Sequence, residues 1–226
     1  MFVPISDDNP LRHIEIHYVT LGLLAANVGI FLLFQSGLAV PAMEASAINF
    51  GFVPGEFLHV LPAAGPPEQA TLISYMFLHG SWLHLIANMA FLWVFGDNVE
   101  DALGHVRYLF FYLACGVAAA LAHMAVYPTS NEPLIGASGA VAGIVSAYLI
   151  LHPKVRVWVL LLWRLPLRLP AFWVLGFWIV LQVFSVLTDT DGNTAWWAHI
   201  GGLMAGAVLV VVLRRPGVTL FDRDLV

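Results

Sequence analysis

Apolar residues run through this chain in six stretches separated by short polar breaks, and these stretches set the predicted elements. They fall at roughly Tyr18–Phe34, Ser81–Phe95, Arg107–Tyr127, Ser138–Leu151, Ala171–Leu187 and Trp196–Leu213. Each predicts a helix on the scale of a bilayer, which needs about 17–25 mostly apolar residues. The second and fourth are short for a full crossing, so they are expected to begin below the membrane surface. A further apolar stretch, Thr71–Leu78, is interrupted at His79-Gly80-Ser81. Ser81 is therefore the expected N-cap of the second span, which sets His84 in the first turn.

Composition agrees with that pattern. Of 226 residues, 60% are hydrophobic and 10% charged, against about 25% charged in a soluble domain. This excludes a water-soluble globule. The expected fold is an all-α polytopic membrane protein, a bundle of six transmembrane helices with a long first loop lying in the interface. One membrane domain is expected over residues 1–226, its core at about 17–213, with short tails at both ends. The N-terminus carries Asp7 and Asp8 and lacks the basic and small-residue features of a removable signal. Cys115 is the single cysteine, so no intrachain disulfide forms, and a buried structural thiol is expected.

The sum of charges, −5, says less than their placement. All nine basic residues (Arg12, Arg107, Lys154, Arg156, Arg164, Arg168, Arg214, Arg215 and Arg223) fall in the N-terminus, second loop, fourth loop and C-terminus. The first, third and fifth loops hold none. Short cytoplasmic loops collect Lys and Arg, so both termini are expected in the cytoplasm. The first loop, Gly37–Ala70, then lies outside and carries the apolar but Pro- and Gly-broken run Phe50–Phe57. Trp196 and Trp197 sit where an aromatic belt belongs.

Three polar islands interrupt the apolar segments, where polar residues are costly and usually functional. They are Gly136-Ala137-Ser138-Gly139, His199, and His84 with Asn88. The topology sets Ser138 and His199 at matching depth. A serine hydroxyl needs a neighbouring base to become a nucleophile, and histidine is the usual one. Ser138 opens a helix, whose unpaired backbone N–H groups can face an anion. His84 and Asn88, four residues apart, share a helix face and form a candidate oxyanion hole with that N–H. Gly202 and Gly206 repeat at the same spacing as Gly139 and Gly143, a pattern that brings membrane helices into near backbone contact. Each motif alone has a structural explanation: small residues are common in membrane helices, and a membrane His or Asn can bond helices together. Their joint occurrence on three spans favours chemistry. His79 is expected to support the first loop rather than react, and His13, His17, His59, His105, His123 and His152 to be structural or solvated.

With these residues the sequence resembles the rhomboid family of intramembrane serine proteases. The matching motifs are Gly136–Gly139, His84–Asn88, and Ala198-His199 followed by Gly202 and Gly206, with Gly96, Glu100 and Gly104 after the second span. The resemblance implies a six-helix bacterial form, a Ser138–His199 dyad without an aspartate, and an oxyanion site of His84, Asn88 and the Ser138 N–H. It implies no metal and no cofactor. The partners expected are single-span membrane proteins as substrates and the lipid bilayer, with no nucleic acid. The expected location is a bacterial inner membrane. Two departures stand out. The first loop lacks the Trp-Arg pair of many members, and the position four after the serine, a Tyr in some members, is Ala142. His199 must be oriented by other means.

Rival readings fare worse. A metalloprotease needs H-E-x-x-H, yet His79 and His84 are five apart with no Glu between. An aspartyl protease needs aspartates well inside spans. A transporter would show repeated halves. A catalytically inactive rhomboid-like protein that binds membrane clients would be expected to have lost Ser138 or His199.

Overall fold

The computed structural model describes residues 2–40, 42–62, 65–161, 164–188 and 195–222; Arg223 lies outside them. The fold is mostly helical. Helix α1 (Tyr18–Ile30) runs on into a π turn at Phe31–Gln35. The first loop then folds into α2 (Met43–Phe50) and α3 (Pro54–Phe57), followed by α4 (Glu68–Ser74). The remaining helices are α5 (Trp82–Leu103), α6 (His105–Val126), α7 (Ser138–Leu151), α8 (Ala171–Thr188) and α9 (Trp196–Leu213).

Among the described residues, four helical stretches are long and apolar enough to cross a membrane: Tyr18–Gln35, α6, α8 and α9. The segment Glu68–Phe77 joins α5 through a bend of 84°. The bend falls where Gly80 and Ser81 break the apolar run, and the Ser81 hydroxyl accepts the His84 N–H at 3.1 Å as the cap of α5. Helix α7 is only 14 residues long. It is buried on nearly every side from Gly139 to Tyr148, which is what a uniformly apolar helix requires. Helices α5, α6, α8 and α9 pack around it.

Helix α5 is longer than the span read from the pattern, which stopped at Phe95. The polar run Asp97–Asp101 stays helical with Glu100 and Asp101 binding backbone elsewhere and Asp97 accepting from its neighbour Asn98. Glu100 is fully buried and accepts the N–H groups of Val19 (3.0 Å) and Thr20 (2.8 Å), with the Thr20 hydroxyl at 2.7 Å. It thus satisfies the open N-terminus of α1. Asp101 accepts the N–H groups of Arg12, His13 and Ile14. Gly104, at φ 84°, makes the turn into α6, a conformation costly for other residues.

The helices are not the whole fold. A three-stranded antiparallel sheet in the order β1-β2-β3 joins β1 (Phe2–Asp7), β2 (Arg156–Leu161) and β3 (Leu165–Pro170). Val157 and Val159 of β2 are buried while Arg156 and Trp158 are exposed. This period of two is that of a half-buried strand. The sheet closes the end of the bundle that carries the chain's N-terminus. It fixes the start of α8, where Ala171 N–H donates to Val155 O at 2.8 Å. Asp7 accepts from the Tyr148 hydroxyl of α7 and from Asn98 at 3.2 Å. Burial pushes its carboxyl up to about 6, with Asp97 adding to the shift and the Tyr148 hydrogen bond opposing it.

Helix α9 packs most extensively against α6 and α7. A Cβ on Gly202 would overlap the carbonyl oxygen of Gly139, and one on Gly206 would overlap that of Gly143. Two glycines per helix therefore bring α7 and α9 to backbone contact. Gly201 does the same toward α6, where a Cβ would lie 2.8 Å from Ala118 O. Cys115 is fully buried beneath Gly143.

Candidate active site

The glycine contacts between α7 and α9 sit directly below Ser138 and His199, the first residues of interest on each helix. His199 Nε2 lies 2.8 Å from Ser138 Oγ. His199 is 9% exposed. Its Nδ1 is buried and has no hydrogen-bond partner among the described residues, so none of their carboxylates completes a triad there. An imidazole this close to a hydroxyl can take its proton as the oxygen attacks a carbonyl.

Ser138 begins α7. The first bond of that helix runs from the Val141 N–H to Ala137 O at 2.9 Å, leaving the N–H groups of Ser138 to Ala140 ahead of the helical ladder. Gly136 has φ 120°. A Cβ there would come within 2.7 Å of His84 Nε2. Glycine is thus required twice over, for the backbone angle and for the imidazole pressed against it.

His84 and Asn88 stand one turn apart on α5 and line the same cleft as Ser138 and His199. The Gly80 N–H donates to His84 Nδ1 at 3.4 Å. A neutral imidazole that accepts at Nδ1 carries its proton on Nε2, so the edge at Gly136 is the donor. Asn88 is 5% exposed, and its Nδ2 has no partner among the described residues. An unpaired buried donor costs about 1–3 kcal/mol, and a developing oxyanion would satisfy it.

The cleft holds about 820 Å³. Three of its features were not read from the sequence. Trp178 of α8 and Trp196 of α9 stand against the His199 imidazole, with ring centres at 6.3 Å and 5.7 Å. They confine the ring that Ala142, itself fully buried, does not touch with an aromatic group. Gln182 is buried at 6% exposure in α8 and lines the cleft; a lone amide in an apolar helix was the available signal. His123, read as structural or solvated, lines the cleft as well. His79 is fully buried, its N–H donating to Gln35 Oε1 at 2.9 Å. Its ring lies 5.1 Å from that of His84, so it packs behind the site.

The sequence profile of the Rhomboid domain matches residues 66–216, about two thirds of the chain. Among curated proteins, the chain is similar to RHOMBOID-like protein 12, mitochondrial, of Arabidopsis thaliana. The two are 26% identical over 213 residues, which is 87% of this chain and 59% of that protein. It is similar to Rhomboid protease GluP of Bacillus subtilis, 30% identical over 144 residues, 62% of this chain and 26% of that one. Rhomboid-like protein 11, chloroplastic, of Arabidopsis thaliana is 29% identical over 153 residues, 62% and 51% of the two chains. The chain thus spans between about a quarter and three fifths of the lengths of these relatives.

Proposed function

The chain belongs to the rhomboid family, and on that premise we propose that it is an intramembrane serine endopeptidase that cleaves single-span membrane proteins. The observation that carries this reading is the 2.8 Å approach of His199 Nε2 to Ser138 Oγ at the glycine-locked ends of α7 and α9.

In the proposed reaction Ser138 Oγ attacks the scissile carbonyl and passes its proton to His199 Nε2. The tetrahedral oxyanion is held by the Ser138 N–H, His84 Nε2 and Asn88 Nδ2. His199 then gives its proton to the leaving amine, and the acyl group stays on Ser138. Water, deprotonated by His199, releases it. Preorganised donors of this kind each lower the barrier by about 3–4 kcal/mol. No metal or cofactor takes part.

The cleft lies at the end of the bundle away from the β-sheet and the basic loops. By the rule that Lys and Arg stay cytoplasmic, we place both termini in the cytoplasm of a bacterial cell and the cleft at the outer face of its inner membrane. A peptide bond in an intact helix is shielded and hydrogen-bonded. The substrate must therefore fray near its outer end, where Gly or Pro weakens a helix by about 1 or 3 kcal/mol relative to Ala. Small residues before the cut are expected beside Gly136, Ala137 and Gly139.

The test is cleavage of a reconstituted single-span protein by wild type, Ser138→Ala and His199→Ala. Both variants should insert, fold and fail to cut. Cleavage that is stopped by a chelator and restored by zinc would overturn the serine mechanism.

A further inference from the structure

Charge at the cleft's end of the bundle is one-sided. Among the described residues there, the segments 36–40, 42–62, 65–67 and 127–137 contain Glu44, Glu56 and Glu132, and no Lys or Arg. Of these acids, Glu132 lines the cleft, and the described lining holds no Lys or Arg, its basic side chains being His84, His123 and His199. The Glu132 N–H donates to Ser130 Oγ at 3.2 Å, holding the residue in a turn. Its carboxylate has no hydrogen-bond or ion-pair partner among the described residues. Tyr127, Trp178 and Trp196 line the same cleft.

An exposed carboxylate on a cleft that aromatic rings also line is the chemistry that attracts an ammonium or guanidinium group. The reacting end of the cleft is marked by the buried, unpartnered Asn88 Nδ2, and Glu132 marks its mouth. From Glu132 to Ser138 is six residues of chain, extended where Leu134 pairs with Phe52. That separation is at most about 20 Å, the reach of about six extended residues of substrate.

We propose that Glu132, with the ring faces of Tyr127 and Trp196, forms a cation-selective subsite at the mouth of the cleft. The preferred substrates are then single-span proteins with Lys or Arg within about six residues of the cut, on the flank that leaves the membrane. This deepens the endopeptidase reading and rests on it. The selectivity has physical value because outer flanks of membrane proteins are poor in Lys and Arg, so a cation there is an uncommon label.

The experiment uses the full chain in neutral-lipid vesicles with single-span substrates that differ only in this flank, Lys in one set and Glu in the other, scanned over the six positions. Wild type should cut the best Lys substrate with kcat/KM at least about fivefold above its Glu partner, the scale of a partly exposed charge pair. The ratio should shrink as salt rises from about 50 mM to about 500 mM. In Glu132→Gln it should fall to near one, and in Glu132→Lys it should invert. Labelling of Ser138 by a serine-directed probe certifies that each variant is folded. Equal cutting of Lys and Glu substrates by wild type overturns the inference whatever the variants do. So does a preference that survives intact in Glu132→Gln. If Ser138→Ala still cuts, the serine-protease reading itself has failed; if it is inactive and wild type ignores the flank, only the subsite has.

Discussion

Gly202→Ala is the smallest change that should dismantle the site from a distance. The added methyl would overlap Gly139 O and come within 2.8 Å of Gly139 C. The closest ordinary Cβ contact is 3.4 Å and the methyl would stand 1.9 Å from Gly139 O, so the helices must part by about 1.5 Å there. Gly139 adjoins Ser138, and Gly202 lies one turn below His199, so the displacement reaches the dyad almost undiminished. The 2.8 Å approach of Nε2 to Oγ would open to roughly 4 Å, beyond hydrogen bonding. A misplacement of about 1 Å can cost about a hundredfold in rate, so turnover should fall by about a hundredfold or more. Overpacking should lower stability by about 1–3 kcal/mol. The assay is kcat on a reconstituted substrate, well below the unfolding temperature of the variant, with the rate of serine-probe labelling measured in parallel. Gly22→Ala is the control, because a Cβ there meets nothing within 4 Å. Wild-type turnover in Gly202→Ala would refute the claim that glycine contact sets the dyad.

Other perturbations follow from the same geometry. Asn88→Ala should lower kcat by on the order of 10²–10³ while KM changes little; unchanged kcat would remove Asn88 from the oxyanion site. Trp178→Leu should lower kcat by about tenfold through a looser His199, and an unaltered pH–rate profile and kcat would show that the ring does not hold it. Asp7, with its carboxyl pushed up to about 6, should be a net liability when ionised. Its raised value means that stability is present at low pH and lost as pH rises through 6. Between about pH 7.5 and about pH 5 wild type should gain about 1.4 kcal/mol from this group, a gain that Asp7→Asn should lack in thermal unfolding. Equal slopes in the two proteins would contradict this.

Much of the fold could be read from the chain because the bilayer imposes a simple pattern. The last helix spans Trp196–Leu213 as its apolar run indicates, and Ser81 caps α5 where the polar break falls. The end of α5 was obscured because Asn98, Glu100 and Asp101 look like a loop when their partners, the Asp7 carboxylate and the N–H groups of α1 and of the segment before it, are far away in sequence. The sheet was obscured for a related reason. Its Arg156-Val157-Trp158-Val159 alternation is short, and its pairing with Phe2–Asp7 joins segments about 150 residues apart. The meeting of Ser138 with His199 could be anticipated from the glycine spacing on two helices. Trp178 against His199 could not, since nothing in a uniformly aromatic and aliphatic helix marks which ring turns inward.

The most direct test of the central claim is covalent labelling of the full chain in detergent by a fluorophosphonate, with the modified residue mapped by mass spectrometry. The account predicts a single adduct on Ser138 that is lost in Ser138→Ala, and is formed far more slowly in His199→Ala at equal folded fraction. An adduct on another residue, or labelling and cleavage that persist in Ser138→Ala, would contradict it.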